Sequence, residues 1–299
     1  MHPRGRRWVP SSGGAASRWM SPHTHRDAAT QPRRRRACHD RLVRRLDYGT
    51  DPSQFGELTV PAADAPVRGL AVVVHGGFWR QAHGLELGRP LAADLVAAGW
   101  AAWNLEYRRV GAGGGWPATF DDVAAGLDLL AEAGQQASGG RLPLDRVVAV
   151  GHSAGGQLAV WLAARPTLPA GAPGAAPRVR LRGVVSQAGV LDLLDASAHG
   201  VGRGAVEDLL GARPDLVPDR YRLASPAARV PIGVPVTCVH GTADANVPIR
   251  QSERFVAAAA AAGDVAELHT LPGVDHFAVI DPTSPAWRTC RDAAERLLG

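Results

Sequence analysis

Ser153 stands between glycines in the stretch Val150-Gly151-His152-Ser153-Ala154-Gly155-Gly156, after small and β-branched residues and before the helix-like pattern QLAVWLAA. If a strand ends at Val150 and a helix starts near Ala154, the turn between them is sharp. Side chains beside the serine would collide with the chain, and glycines at 151 and 155 remove those collisions. The serine oxygen then stands at the tip of the turn, near N–H groups at the helix start, where the dipole favours negative charge. Such a hydroxyl could attack a carbonyl, or it could only cap the helix. Other residues must decide between the two.

A serine hydroxyl is a poor nucleophile at neutral pH and needs a base within hydrogen-bond reach. His276, in PGVDHFAV after the last strand-like segment, is the best candidate. The base needs an acid to hold its tautomer. Asp244 in GTADANVP follows its own strand by a few residues, whereas Asp275 directly precedes the histidine and would point elsewhere. Asp244 could instead make only an Asx-type turn with Ala245 and Asn246. Attack on a carbonyl also creates an oxyanion, which needs preorganised donors. The N–H of Ala154 supplies one, and the segment His75-Gly76-Gly77-Phe78-Trp79 at an earlier strand end can supply the rest. His75 and His240, just past buried strands, read as structural, their ring nitrogens meeting loop carbonyls. Tyr107 and Arg108 follow another strand end, where a structural ion pair is expected. Cys238 reads as inert packing.

These groups require a frame. Strand-like segments recur at 54–61, 69–77, 100–108, 145–151, 181–189, 235–241 and 266–273. Helical patterns lie at 91–99, 118–135, after Ser153, at 249–262 and at 284–298. The alternation predicts an α/β fold with a mostly parallel sheet covered by helices on both faces. In such sheets ligands bind beyond the carboxyl ends of the strands, where the candidate residues fall. Residues 165–180 read as a loop. Residues 192–230 read as a polar insertion with one short helix near 205–210, a candidate small cap over the site.

The 33 basic residues are all arginine, and the charge is uneven. Residues 1–45 hold 12 Arg against Asp27 and Asp40, while the remainder holds 21 Arg against 26 acids. The segment 1–45 is expected to be a disordered basic tail, and 46–299 the folded domain. The run of arginines at 33–36 could contact nucleic acid, but the acidic remainder argues against that partner. His23 and His25 are too weak a pair to imply a metal. Cys38, Cys238 and Cys290 match neither a disulfide framework nor a metal spacing, which points to a reducing compartment and a cytoplasmic location. No run approaches the roughly 20 apolar residues that span a bilayer, so no membrane association is expected.

From about residue 46 onward the chain resembles an α/β-hydrolase of the esterase/lipase group, near small carboxylesterases and kynurenine formamidase (arylformamidase). The motifs that carry the resemblance are His75-Gly76-Gly77-Phe78-Trp79 ahead of Gly151-His152-Ser153-Ala154-Gly155, with the chain order Ser, Asp, His. The resemblance implies a triad of Ser153, Asp244 and His276, with an oxyanion hole from the N–H groups of Gly77, Phe78 and Ala154. It implies no cofactor and no metal. The expected substrate is a small ester or amide, against a pocket wall of Phe78, Trp79, Trp116, Leu191, Val247 and Phe277. Two alternatives stay open. One is an arylformamidase cleaving N-formyl arylamines such as N-formylkynurenine; the other is a non-catalytic binding protein on the same fold. Sequence does not set the oligomeric state.

Overall fold

The runs LAVVV, AAWNL, VVAVGH, GVVSQ and VTCVHG are buried along their whole length, as strands covered on both faces must be. A computed structural model describes residues 42–299, which fall within the second of two units, Met1–Cys38 and His39–Gly299. The expected disorder of the tail, the arginine run and His23, His25 and Cys38 lie outside the described residues.

The elements follow in the order β1 (Arg44–Asp47), β2 (Phe55–Thr59), β3 (Leu70–Val74), α1 (Arg89–Ala97), β4 (Ala101–Leu105), α2 (Ala118–Asp128), α3 (Ala133–Ser138), β5 (Val147–His152) and α4 (Ala154–Ala164). After these come β6 (Gly183–Gln187), α5 (Leu193–Ala198), α6 (Ala205–Leu210), α7 (Pro218–Ala224), β7 (Val236–Gly241), α8 (Arg250–Ala261), β8 (Ala266–Leu271) and α9 (Pro285–Arg296). They build one eight-stranded sheet in the order β1-β2-β4-β3-β5-β6-β7-β8. β1 and β2 are antiparallel to their neighbours, and β4 through β8 run parallel.

Chain order reverses between β3 and β5, which pair with Val74 opposite Gly151. This is the switch point of an open α/β sheet, where the loops leaving two adjacent strands diverge and leave a crevice. The glycine segment after β3 and the serine turn after β5 therefore emerge side by side.

Alternation along each strand feeds two cores. Leu70, Val72 and Val74 pack with α2, α4 and α8, and Ala71 and Val73 pack with α1 and α9. Every residue of α4 is buried, so the helix that begins at the serine turn is held from all sides. Among the described residues no helix is long and apolar enough to cross a membrane.

Several expectations are corrected. β1 takes Arg44 and Arg45, which sequence assigned to the tail; its exposed RRLD carries no apolar period to announce a strand. The helix expected over 118–135 is broken into α2, a 3-10 turn at Leu129–Ala131, and α3. The insertion at 192–230 holds three short helices rather than one, and it is not polar throughout. Leu193, Ala196, Val206, Leu209, Leu210 and Tyr221 are buried in the main core.

Candidate active site

The turn at Ser153 is strained. The serine has φ 54° and ψ −119°, backbone angles that a non-glycine residue holds only when its surroundings enforce them. The enforcement is visible: its N–H donates to Gln187 O at 2.8 Å, and its carbonyl accepts from Gly156 N at 2.9 Å and Val190 N at 3.3 Å. A Cβ at Gly155 would overlap the carbonyl oxygens of Val74 and His75, and one at Gly151 would overlap the carbonyl of Gly155. The two glycines are thus required by backbone approach.

Asp244 and His276 meet at the ends of the last two strands. His276 Nδ1 donates to Asp244 Oδ2 at 2.6 Å, which fixes the tautomer and leaves Nε2 able to accept a proton. Oδ1 of the same carboxylate accepts the N–H groups of Asn246 and Val247, both at 2.8 Å. Burial would raise the Asp244 carboxyl, yet hydrogen bonds from His240, His276 and the Val247 N–H outweigh it and hold the pKa well below the usual range. Asp275 turns instead to its own loop, accepting from Phe277 N and Ala278 N at 2.9 Å.

His276 is tied to the serine turn by His152, whose importance was not legible in sequence. Its Nε2 donates to the carbonyl of His276 at 2.9 Å, and its ring lies 4.5 Å from the His276 ring. Burial, with the nearby His276 adding to it, pushes the His152 pKa down to about 3, so the ring remains neutral. Ser153 and His276 are themselves only 2% and 5% exposed.

The glycine segment lies against the same turn. A Cβ at Gly76 would come within 3.0 Å of Ser153 Cβ, and Gly77, Phe78 and Trp79 follow with φ of 114°, 51° and 56°. The N–H groups of Gly77 and Phe78 find no acceptor among the described residues. Below them His75 is wedged into a buried network. Its Nδ1 faces Gly76 O at 2.8 Å, its Nε2 faces Glu106 Oε1 at 3.0 Å, and Tyr107 stacks on the ring at 4.4 Å. Glu106 also accepts from Leu85 N and Tyr107 N. His240 makes the carbonyl contact expected of it, to Val247 O at 2.9 Å, and also lies 3.2 Å from Asp244 Oδ2. Arg108 forms the expected ion pair, with Asp122 at 2.7 Å, and Cys238 is buried with its thiol pushed up to about 12 by desolvation.

The residues expected to form the pocket wall have different surroundings. Trp79 is 1% exposed, and its indole N–H donates to Gln157 Oε1 at 3.0 Å, so it anchors the loop to α4. Leu191 and Val247 are fully buried core residues, because the segments after β6 and β7 fold back over the sheet. Trp116 packs on Phe120 at 5.1 Å and is partly buried. Phe277, edge-on to His276 at 5.3 Å, is 58% exposed, and Phe78 is half-buried.

Comparison with known proteins agrees with this frame. The BD-FAE family model matches residues 57–258. A search of curated proteins returns no match. Among solved structures, a truncated carbohydrate esterase from gut microbiota superposes with a TM-score of 0.68 at 21% identity, covering 85% of this chain and 93% of that one. Esterase 2 of the Planctomycetes species Thermogutta terrifontis, with propionate bound, gives 0.67 at 23%, covering 86% and 93%. The same Thermogutta protein is also known phosphoramylated by tabun. Esterase B from Lactobacillus Rhamnosis (HN001) gives 0.71 at 22%, covering 86% and 84%. With more than half of its length matched by that model on an α/β-hydrolase sheet, the chain belongs to the BD-FAE family of α/β-hydrolase-type esterases.

Proposed function

We propose that the protein hydrolyses small carboxylic esters through an acyl-enzyme on Ser153. His276 Nε2 takes the hydroxyl proton as Ser153 Oγ attacks the ester carbonyl. The negative oxygen is held by the N–H groups of Gly77, Phe78 and Ala154. The C–O bond to the alcohol then breaks, and the alcohol departs with the proton from His276. Water repeats the sequence on the acyl-enzyme, giving the acid and free serine.

The 2.6 Å hydrogen bond between His276 and Asp244, on strand ends beside the strained serine turn, supports this reading most. An aryl group of a formyl arylamine would have to stack on Phe78 and Trp79, and Trp79 is only 1% exposed, which favours the ester reading over the formamidase alternative. Ser153→Ala is the test. Alanine keeps the turn's need for a positive φ unchanged, so the variant should fold, and turnover of short-chain aryl esters should fall by several orders of magnitude. Turnover at the wild-type rate would favour a non-catalytic serine.

A further inference from the structure

A cavity of about 610 Å³ opens beside Phe78, between the oxyanion segment, the loop 199–203 of the insertion and the start of α8. That is within the range of small-molecule sites, roughly 300–1,000 Å³. Its charged lining is entirely basic or imidazole: Arg80, His199, Arg203 and Arg250, with Asn246 from the Asp244 turn.

Most of that charge is already balanced. Arg80 pairs with Asp208 at 2.8 Å, and Arg250 and His199 both meet Asp195, at 3.0 and 3.2 Å. Arg203 is different: its guanidinium finds no acceptor among the described residues. Its loop is nonetheless built. Gly200, Gly202, Arg203 and Gly204 all have positive φ, between 53° and 81°, and Arg80 Nη2 donates to the Arg203 carbonyl at 3.0 Å. A Cβ at Gly202 would come within 2.5 Å of the Phe78 ring, so the loop rests on the residue that also offers an oxyanion donor. The loop thereby brings Arg203, an exposed residue, into the lining of the same cavity as Phe78.

We infer that the cavity is a subsite for an anionic group, and that the substrates are esters whose acyl or alcohol part carries a carboxylate a few bonds from the scissile bond. This rests on the ester-hydrolase reading and narrows it. A carboxylate entering the cavity would meet a free guanidinium and form a charge-assisted pair.

The test compares the p-nitrophenyl monoester of glutaric acid with its methyl-capped diester, equal in reach but neutral. For wild type, kcat/KM should favour the free acid, chiefly through KM. In Arg203→Ala the ratio of the two values should fall about tenfold, and Arg203→Lys should recover part of it. A wild-type ratio at or below one, or a ratio unchanged by Arg203→Ala, would overturn the subsite. Calorimetric titration of monomethyl glutarate into the Ser153→Ala protein separates the subsite from the chemistry. If neither ester turns over above the Ser153→Ala blank, the hydrolase reading fails. Binding that weakens in Ser153→Ala/Arg203→Ala then still supports the anion site, and no binding refutes it.

Discussion

Asp244 carries four hydrogen-bond donors on one buried carboxylate, and each has a separate consequence. The two turn N–H groups hold Oδ1, so rotation of the side chain is blocked, and Oδ2 is left to the two histidines. Replacement by Asn would keep the shape but put an amide where the acceptor is needed, favouring the wrong His276 tautomer. We expect Asp244→Asn to retain the fold and lose about 10,000-fold in kcat on aryl esters; a loss under tenfold would remove Asp244 from the triad. His152 gives a second prediction. Its folded-state pKa of about 3 lies below the ordinary histidine value of 6.5, so between those pH values the unfolded chain binds the extra proton. Stability is therefore undiminished above pH 6.5 and falls on acidification, by about 3 kcal/mol between pH 6.5 and pH 4 from this residue. Urea titrations at the two pH values should show a smaller difference in His152→Gln, whose amide can still donate to the His276 carbonyl. An equal difference would mean that other groups carry the acid sensitivity. Ser153, Asp244 and His276 could be named from sequence because each follows a strand-like segment. His152 could not, since only the folded chain brings the His276 carbonyl to its ring.

At the scale of elements, the β3 and β5 ends are locked together through Gly155, in the first turn of α4, which lies hard against the backbone of Val74 and His75. Gly155→Ala has no side chain to displace and must shift backbone, so it should cost more than about 3 kcal/mol and cut activity. Gly139, whose φ of 67° faces open space, is the contrast: Gly139→Ala should cost about 1 kcal/mol, from conformation alone. Similar thermal shifts for the two variants would show that the close approach does not constrain the site. The central strands were legible because each is short and rich in apolar and β-branched residues. The insertion was not: α5, α6 and α7 are six or seven residues long, below the length at which a 3.6-residue period declares itself. Their apolar residues are scattered among Gly, Pro and charges, and only the tertiary fold gathers them into the core.

For the whole molecule, the sheet's switch point sets the glycine segment and the serine turn on neighbouring strands, while Asp244 and His276 follow β7 and β8. Parallel order was readable from the alternation of segments, and with it the strand ends at which the candidate residues lie. The cavity was not readable, since Arg80, His199, Arg203 and Arg250 come from three distant parts of the chain with no shared spacing. The most direct measurement on the central claim is the mass of the intact protein after reaction with a fluorophosphonate, followed by peptide mapping. One adduct, on Ser153, absent in Ser153→Ala and formed in step with loss of ester hydrolysis, is the expected result. An adduct on another residue, or full ester hydrolysis by protein carrying none, would contradict Ser153 as the nucleophile.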